Sequence, residues 1–503
     1  MQISGTQQSP RATAQPRHAD DLPGPRGWPL VGNLLQLQAS RMHQQLEAWC
    51  EIFGPIYKLQ LAGRQVVVVA DHEAVAILLR DRPDGLRRTS RLEDIWVEMG
   101  LLPGLFGANG EVWRRQRRMV MASFDPAHVK RYFPSMQTVT QRLGGRWAKA
   151  AKASATIDLQ ADLMRYTVDT IAGLAFGSAV NTLESDGDII QQHLDKLFPA
   201  VFRRILSPLP YWRWVKLPAD RRLARSVAAV NAAVAGFIQQ ARTRLSADPA
   251  RRSQPGNLLE AMLVAADEPG SGIDDLQVAG NVLTMLLAGE DTTANTLAWM
   301  IELLWRHPAA LARATDEVRR VCGDDHRAPT MEQMAQLDFV EACAHETMRL
   351  KPVAPLLPLQ TLREMTIAGV RVPAHRVVMS VMRRDSVSET HVPHAAAFEP
   401  ERWLTGGDTA PGATNLATHI ATNTSTSAKR ISMPFGAGPR ICPGRYLALL
   451  EMKMAIALLL GGFDIVSVDT ASGQPAAEHL AFTMMPVGLR MRLRQRAGLR
   501  PSP

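Results

Sequence analysis

The sequence predicts a mainly α fold with small β-sheets, and three observations lead there. Residues 274–306 run without proline, and their only glycines are Gly280 and Gly289. A helix of that length spans about 50 Å at 1.5 Å per residue, enough to cross a whole domain. Residues 189–206, 219–245 and 446–460 also carry helix-like apolar spacing. The strand-like runs, by contrast, are short: 56–61, 65–70, pieces of 366–381, 463–468 and 489–493.

The chain has 503 residues, 46% hydrophobic and 21% charged, as in ordinary globular proteins. Length alone would allow two or three domains. The net charge of +9 admits nucleic acid, an anionic membrane surface or an acidic protein partner. No nucleic-acid motif accompanies it, so an acidic protein is the favoured partner. The four cysteines, Cys50, Cys322, Cys343 and Cys442, form no CxxC pair, which argues against a disulfide framework or a zinc site. Free thiols suit a reducing cytoplasm. Residues 1–20 are polar, so neither a signal peptide nor an N-terminal anchor is expected.

Taken in order, residues 1–21 are rich in Gln, Ser, Arg and Pro and are expected to form a disordered tail. Residues 22–29, Leu-Pro-Gly-Pro-Arg-Gly-Trp-Pro, form a stiff extended segment. Met42, Leu46, Trp49 and Phe53 recur at helical spacing. The runs 56–61 and 65–70 flank Ala62-Gly63-Arg64 as a hairpin. In the basic helix 111–121, Trp113 and Arg117 lie four apart and share a face; core packing beside a solvated arginine would explain this as well. Residues 207–218 hold Tyr211, Trp212 and Trp214 among Arg, Lys and Pro. This connection suits a membrane surface or a loop packed on its own helices. His307-Pro308 ends the long helix, which is too polar at Glu290-Asp291-Thr292-Thr293 to span a membrane. Residues 404–429, rich in Thr, Ala, Gly, Asn and Ser, are expected to be a long, poorly ordered loop.

The chain is organised around Phe435-Gly436-Ala437-Gly438-Pro439-Arg440-Ile441-Cys442-Pro443-Gly444. Three glycines and two prolines exclude a helix or strand interior. Cys442 stands just before a helix N-terminus, where amide groups and the macrodipole favour a thiolate, a good ligand for a soft metal. A buried structural cysteine in a turn is the competing reading. Phe, three Gly, Arg and Cys at fixed places would match by chance in only ~1 chain in 10⁵ of this length. The stretch resembles the haem-binding loop of the cytochrome P450 family.

That resemblance implies roles for individual residues. Cys442 would be the axial thiolate and metal ligand, with Phe435, Gly436 and Gly444 shaping its loop. Trp113, Arg117 and Arg440 would bind the haem propionates. Ala288-Gly289-Glu290-Asp291-Thr292-Thr293 matches the family's oxygen-binding motif. A Thr hydroxyl can bond the i−4 carbonyl, here that of Ala288, and open the helix. Gly289, having no side chain, would let a flat ligand lie against the helix beside Ala288. Thr292 would organise bound oxygen and Asp291 relay protons, while Glu290 has no assigned role. Without the cysteine loop, a helix kink with surface acids would explain these residues. Glu346 and Arg349, i and i+3 on one helix, would join Arg402 in a buried structural triad. Alone, such a pair is a routine surface salt bridge. Phe106, Met285, Ala288, Ala354 and Phe482 are expected to line an apolar pocket.

The signatures fall in family order along nearly the whole chain, which implies the cytochrome P450 fold as a single haem domain over 22–503. The implied cofactor is haem b (heme b), iron-protoporphyrin IX. The implied reaction inserts one atom of O2 into a small hydrophobic substrate, by hydroxylation or epoxidation, with fatty acids or terpenoids suspected. No nicotinamide- or flavin-binding GxGxxG occurs in a strand–helix setting, so a separate ferredoxin or flavodoxin with an NAD(P)H reductase would supply electrons. The expected protein is a cytoplasmic monomer, with peripheral membrane contact left open. A peroxide-driven enzyme or isomerase of the same fold would not need Asp291 and Thr292. A haem-thiolate gas sensor would need an output domain.

Overall fold

The computed structural model describes residues 17–61, 63–101, 104–124, 126–177, 180–185, 189–323, 328–404 and 428–496. Residues 1–16 of the expected tail and 405–427 of the expected loop lie outside the described residues.

The long helix Asp275–Arg306 is the axis of the molecule. Asp274 starts it by accepting the Gln277 amide, and the Gln277 side chain accepts the Asp274 amide in return. This capping box satisfies two end groups at once. The helix packs against Leu159–Phe176, Pro218–Ala247, Asp338–Leu350 and Arg445–Gly462. From Leu447 on, Arg445–Gly462 is apolar on nearly every face and almost wholly buried, as an all-round apolar helix must be.

The strands form small sheets to one side. Five of them run in the order Ile56–Leu61, Arg64–Val69, Val377–Val381, Leu356–Thr361, Leu86–Arg88. The first two are the expected hairpin, with Ile56 opposite Val69. Phe463–Asp469 and Arg490–Gln495 pair antiparallel, as the closing strands. Glu478–Leu480 and Met484–Pro486 make a separate ribbon whose turn enters the site. No helix among the described residues is long and apolar enough to cross a membrane.

Three expectations are corrected. The tail does not extend to residue 21: Arg17–His18 pairs in parallel with Val370 and Arg371, and Ala19 is fully buried. Burial of Ala19 against Val67, Val69 and Val370 holds that segment in place despite its polar composition. The helix expected over 189–206 is two, Ile189–Leu194 and Leu197–Leu206. Pro199 explains the break, because a proline ring clashes with the carbonyl four residues back, that of Asp195. The loop expected over 404–429 ends early, since Ala428–Ile431 is a helical turn with Ala428 and Ile431 buried.

Candidate active site

The cysteine loop closes on itself: the Cys442 amide donates to the Phe435 carbonyl at 2.9 Å. Gly438 has φ +70, and a Cβ there would fall 2.6 Å from Arg80 Cα. Only glycine lets this loop press on helix His72–Arg80 in that conformation. Cys442 borders an opening yet lies deep enough for desolvation to matter. Burial pushes its thiol up, and this outweighs the Gly444 amide, Arg117 and Arg445, which pull it down. For the free side chain, desolvation therefore works against the thiolate preference expected of the helix start.

Four arginines gather around this loop. Burial, with Arg82 and Arg117 nearby, pushes the Arg440 guanidinium down to about 9. Burial, Arg440 and Arg82 push Arg88 well below its usual range. Burial takes Arg82 to about 10 and lowers Arg117, which the Cys442 sulfur partly restores. Among the described residues, the hydrogen bonds of Arg82, Arg88 and Arg440 go to neutral acceptors. Arg440 donates to Asn109 Oδ1 at 3.3 Å and to the carbonyls of Leu105 and Ala108. Arg88 donates to the Phe106 carbonyl, and Arg82 to that of Leu79, each at 3.3 Å. Trp113 is buried with the Arg440 guanidinium 4.9 Å above its ring. Among the described residues these mutually repelling cations, Arg82 buried and the others half-buried, have one carboxylate acting on them, Glu93 on Arg440, and so suit an anion between them. An iron porphyrin, which needs one soft ligand and neutralisation of two carboxylates, fits this donor set.

On the long helix, Met285, Leu286, Leu287 and Glu290 are buried while Ala288 is exposed, so an opening reaches the middle of the molecule. Thr292 Oγ1 donates to the Ala288 carbonyl at 2.6 Å, the bond its spacing predicts. The Asp291 carboxylate accepts from Asn295 at 2.8 Å and from the Thr483 hydroxyl. Burial raises Asp291 above its usual range, and those two bonds restrain the rise. Glu290 is buried, and burial together with the Asp195 and Asp291 carboxyls pushes it well up.

Gly289 does not do what was expected of it. A Cβ there would lie 2.5 Å from Ile171 Cγ1 on helix Leu159–Phe176. Its missing side chain allows close packing of two helices, and the open face belongs to Ala288.

The apolar candidates converge in part. Phe106 and Phe482 rings lie 5.9 Å apart, and Phe482 stacks on Phe198 at 4.5 Å. Phe482 has φ +99, an uncommon conformation for a non-glycine residue. Met484 donates its amide to the Val353 carbonyl at 2.8 Å, which brings the exposed Ala354 beside the Phe482 turn. Met285 is buried in the main core. Arg88 sits 4.2 Å over the Phe106 ring, so Phe106 also seats a cation.

Glu346, Arg349 and Arg402 meet as a buried network. Arg349 binds Glu346 bidentately at 2.7 and 2.8 Å, and Arg402 Nε reaches it at 3.2 Å. Arg349 also donates to the carbonyls of Ser386, Ala395 and Ala397. Trp403 Nε1 completes Glu346 at 2.8 Å, and Trp403 packs on Ala428 and Ile431, just before Phe435.

Residues 22–492 match the family model of cytochrome P450. The chain belongs to the cytochrome P450 family. Among its relatives is a self-sufficient cytochrome P450 monooxygenase of Aspergillus kawachii, 26% identical over 96% of this chain and 44% of the relative. A similarly named protein of Penicillium camemberti is 27% identical over 95% of this chain and 43% of its own length. The plant protein LUTEIN DEFICIENT 5, chloroplastic, of Arabidopsis thaliana is 26% identical over 84% and 69%. This chain therefore spans less than half the length of the first relatives it matches. The haem domain of cytochrome P450DA superposes with a TM-score of 0.79 at 24% identity, covering 95% of this chain and 98% of that one, which shows the shared fold. Within that P450 fold, Arg82, Arg88, Phe198 and Thr483 stand beside the candidate residues, though sequence reasoning gave them no role, and nothing local in the sequence marks them. Trp403, next to Arg402 in the chain, also had no role assigned.

Proposed function

We propose that this chain is a haem-thiolate monooxygenase acting on a small hydrophobic substrate. The carrying observation is the cluster of four mutually repelling arginines around Cys442, of which, among the described residues, only Arg440 feels a carboxylate, that of Glu93. Arg82, Arg88, Arg117 and Arg440 would neutralise the two carboxylates of haem b, and Cys442 would ligate its iron. Once bound, that group supplies the oxygen-activating iron, and its thiolate ligand favours O–O cleavage. Thr292 holds the Ala288 carbonyl and so opens the helix where Ala288 is exposed. Asp291, raised by burial, keeps a carboxyl that can take up and pass on a proton. Phe106, Phe198 and Phe482 exclude water and offer flat apolar contacts to a fatty-acid or terpenoid-like chain. A peroxide-driven enzyme or isomerase would have no use for the Asp291–Thr483 and Thr292–Ala288 bonds.

Electrons would enter from the cysteine side. An open hollow of about 600 Å³ there is lined by Arg80, Lys429, Arg430 and Arg445 against the single acid Glu73. Its charge suits an acidic electron donor. The relatives' self-sufficient names do not support the expected separate ferredoxin or flavodoxin, so the docking face is assigned to an acidic donor, separate or covalently joined. In 207–218, Leu209, Trp214, Val215 and Leu217 are exposed, which supports peripheral membrane contact. Trp212 does not contribute, being buried and bonded to Glu98 at 2.7 Å.

The test is a spectral screen of fatty acids and terpenoids, followed by turnover under labelled O2. One labelled oxygen atom per product molecule is expected. Unlabelled product, or product formed equally well without a reductant, overturns the reading.

A further inference from the structure

On the rim of the cysteine-side hollow, His72, Asp385 and His391 converge without any part in the proposed chemistry. One ligand atom from each lies within 4.8 Å of the others. Asp385 Oδ2 is 2.9 Å from His72 Nδ1 and 3.7 Å from His391 Nε2, and the two rings meet edge to face at 5.0 Å. Donors about 2.1 Å from a tetrahedral metal stand about 3.4 Å apart, so these separations bracket those of a ligand set.

We propose that His72, Asp385 and His391 form a site for a divalent transition metal of the zinc class. Imidazole nitrogens with one carboxylate suit such ions and not magnesium or calcium, which prefer all-oxygen shells. The surroundings orient the carboxylate. Arg384 holds Asp385 Oδ1 at 2.8 Å, which leaves Oδ2 for the two rings. The His72 amide also donates to Oδ2 at 2.8 Å, an outer-sphere bond of the kind that fixes metal-binding carboxylates. Glu51 lies 3.3 Å from Arg384 and offsets its charge. Binding asks little of the chain: with the metal bound, His72 carries its hydrogen on Nε2 and turns Nδ1, now 2.9 Å from Asp385 Oδ2, to the ion. His72 and His391 are partly exposed, so the ion has a route in.

The residues come from two distant segments, the start of helix His72–Arg80 and the stretch from the helical turn Arg384–Val387, which holds Asp385, to His391. A bound ion would tie these together beside the electron-donor face. The inference does not depend on the monooxygenase reading, since it concerns binding alone.

Equilibrium dialysis of the haem-loaded protein against zinc, with metal analysis, tests it. One zinc per chain is expected, with affinity at least roughly tenfold weaker in His391→Ala and His391→Gln. His479→Ala, an exposed histidine elsewhere, should bind as the parent does. Zinc should also raise the thermal midpoint of the parent and not of the His391 variants, because a ligand bound only by the folded state stabilises it. No retained zinc, or equal retention in the parent and both His391 variants, overturns the proposal. Magnesium competing equally with zinc overturns the assignment of metal class.

Discussion

The Asp291 carboxylate accepts the Thr483 hydroxyl, which joins the long helix to the turn that carries Phe482. One hydrogen bond thus links the acid of the oxygen motif to an aromatic wall of the pocket. Thr483→Val removes that donor and leaves Asn295 as the side-chain partner. Loss of a bond to the charged form must raise the Asp291 pKa further. Electrons should then be diverted several-fold toward peroxide, and the acidic limb of the turnover profile should move to higher pH. Unchanged coupling and an unchanged profile would remove Asp291 from proton delivery.

Cys442→His should abolish the red-shifted Soret band of the ferrous–CO form. Survival of that band would show that the iron is not bound by this thiolate.

The arginine cluster allows a test that needs no turnover. Arg88 is half-buried among like charges, so its cost to the haem-free chain is repulsion and desolvation. Arg88→Met should leave the thermal midpoint of the haem-free protein unchanged or higher. In the same variant, haem transfer to an acceptor protein should be at least roughly tenfold faster, equivalent to about 1.4 kcal/mol. If both forms lose stability alike, Arg88 is a structural cation and not a carboxylate anchor.

Glu478 should govern acid stability. Burial alone would raise its carboxyl, but bonds from His43 and Arg383, with Lys351 close by, hold it far below its ordinary 4.5. A depressed carboxyl contributes stability that is fully present above 4.5 and is lost as pH falls below it. Glu478→Gln should cost about 3 kcal/mol at neutral pH and flatten the loss of stability below pH 4.5. Parallel stability curves for parent and variant would refute this.

What was legible in the sequence was what is local in the chain. Cys442 and its glycines, the Thr292–Ala288 bond, and Glu346 with Arg349 lie within a few residues of one another, so spacing alone constrains them. Arg402 was placed by the family resemblance and not by its spacing from Glu346. Arg88, Phe198 and Thr483 meet the site only through the fold, and nothing beside them distinguishes them from ordinary strand, helix or turn residues. Gly289 shows the same limit from the other side. Its small size was legible, but which neighbour approached it depended on how helix Leu159–Phe176 packs. At the Cys442 thiol, helix-end electrostatics can be read from sequence and the opposing desolvation cannot.

The remaining prediction concerns electron entry. Lys429, Arg430 and Arg445 are exposed on the hollow at the cysteine loop, while Arg440 faces inward to Asn109 and Trp113. The outward three are therefore left to meet a donor. Exposed complementary charges act mainly on the association rate, and salt screens them over ~10 Å at 0.1 M. Reduction by an acidic donor protein should slow steeply as ionic strength rises. Lys429→Glu with Arg445→Glu should slow it further, without changing substrate affinity in a spectral titration. The Glu346 network, which reaches Ala428 and Ile431 through Trp403, should be undisturbed, so the variant should keep its haem and its melting temperature. A salt-independent rate, or parent-like reduction of the charge-reversed protein, would place electron entry on another face.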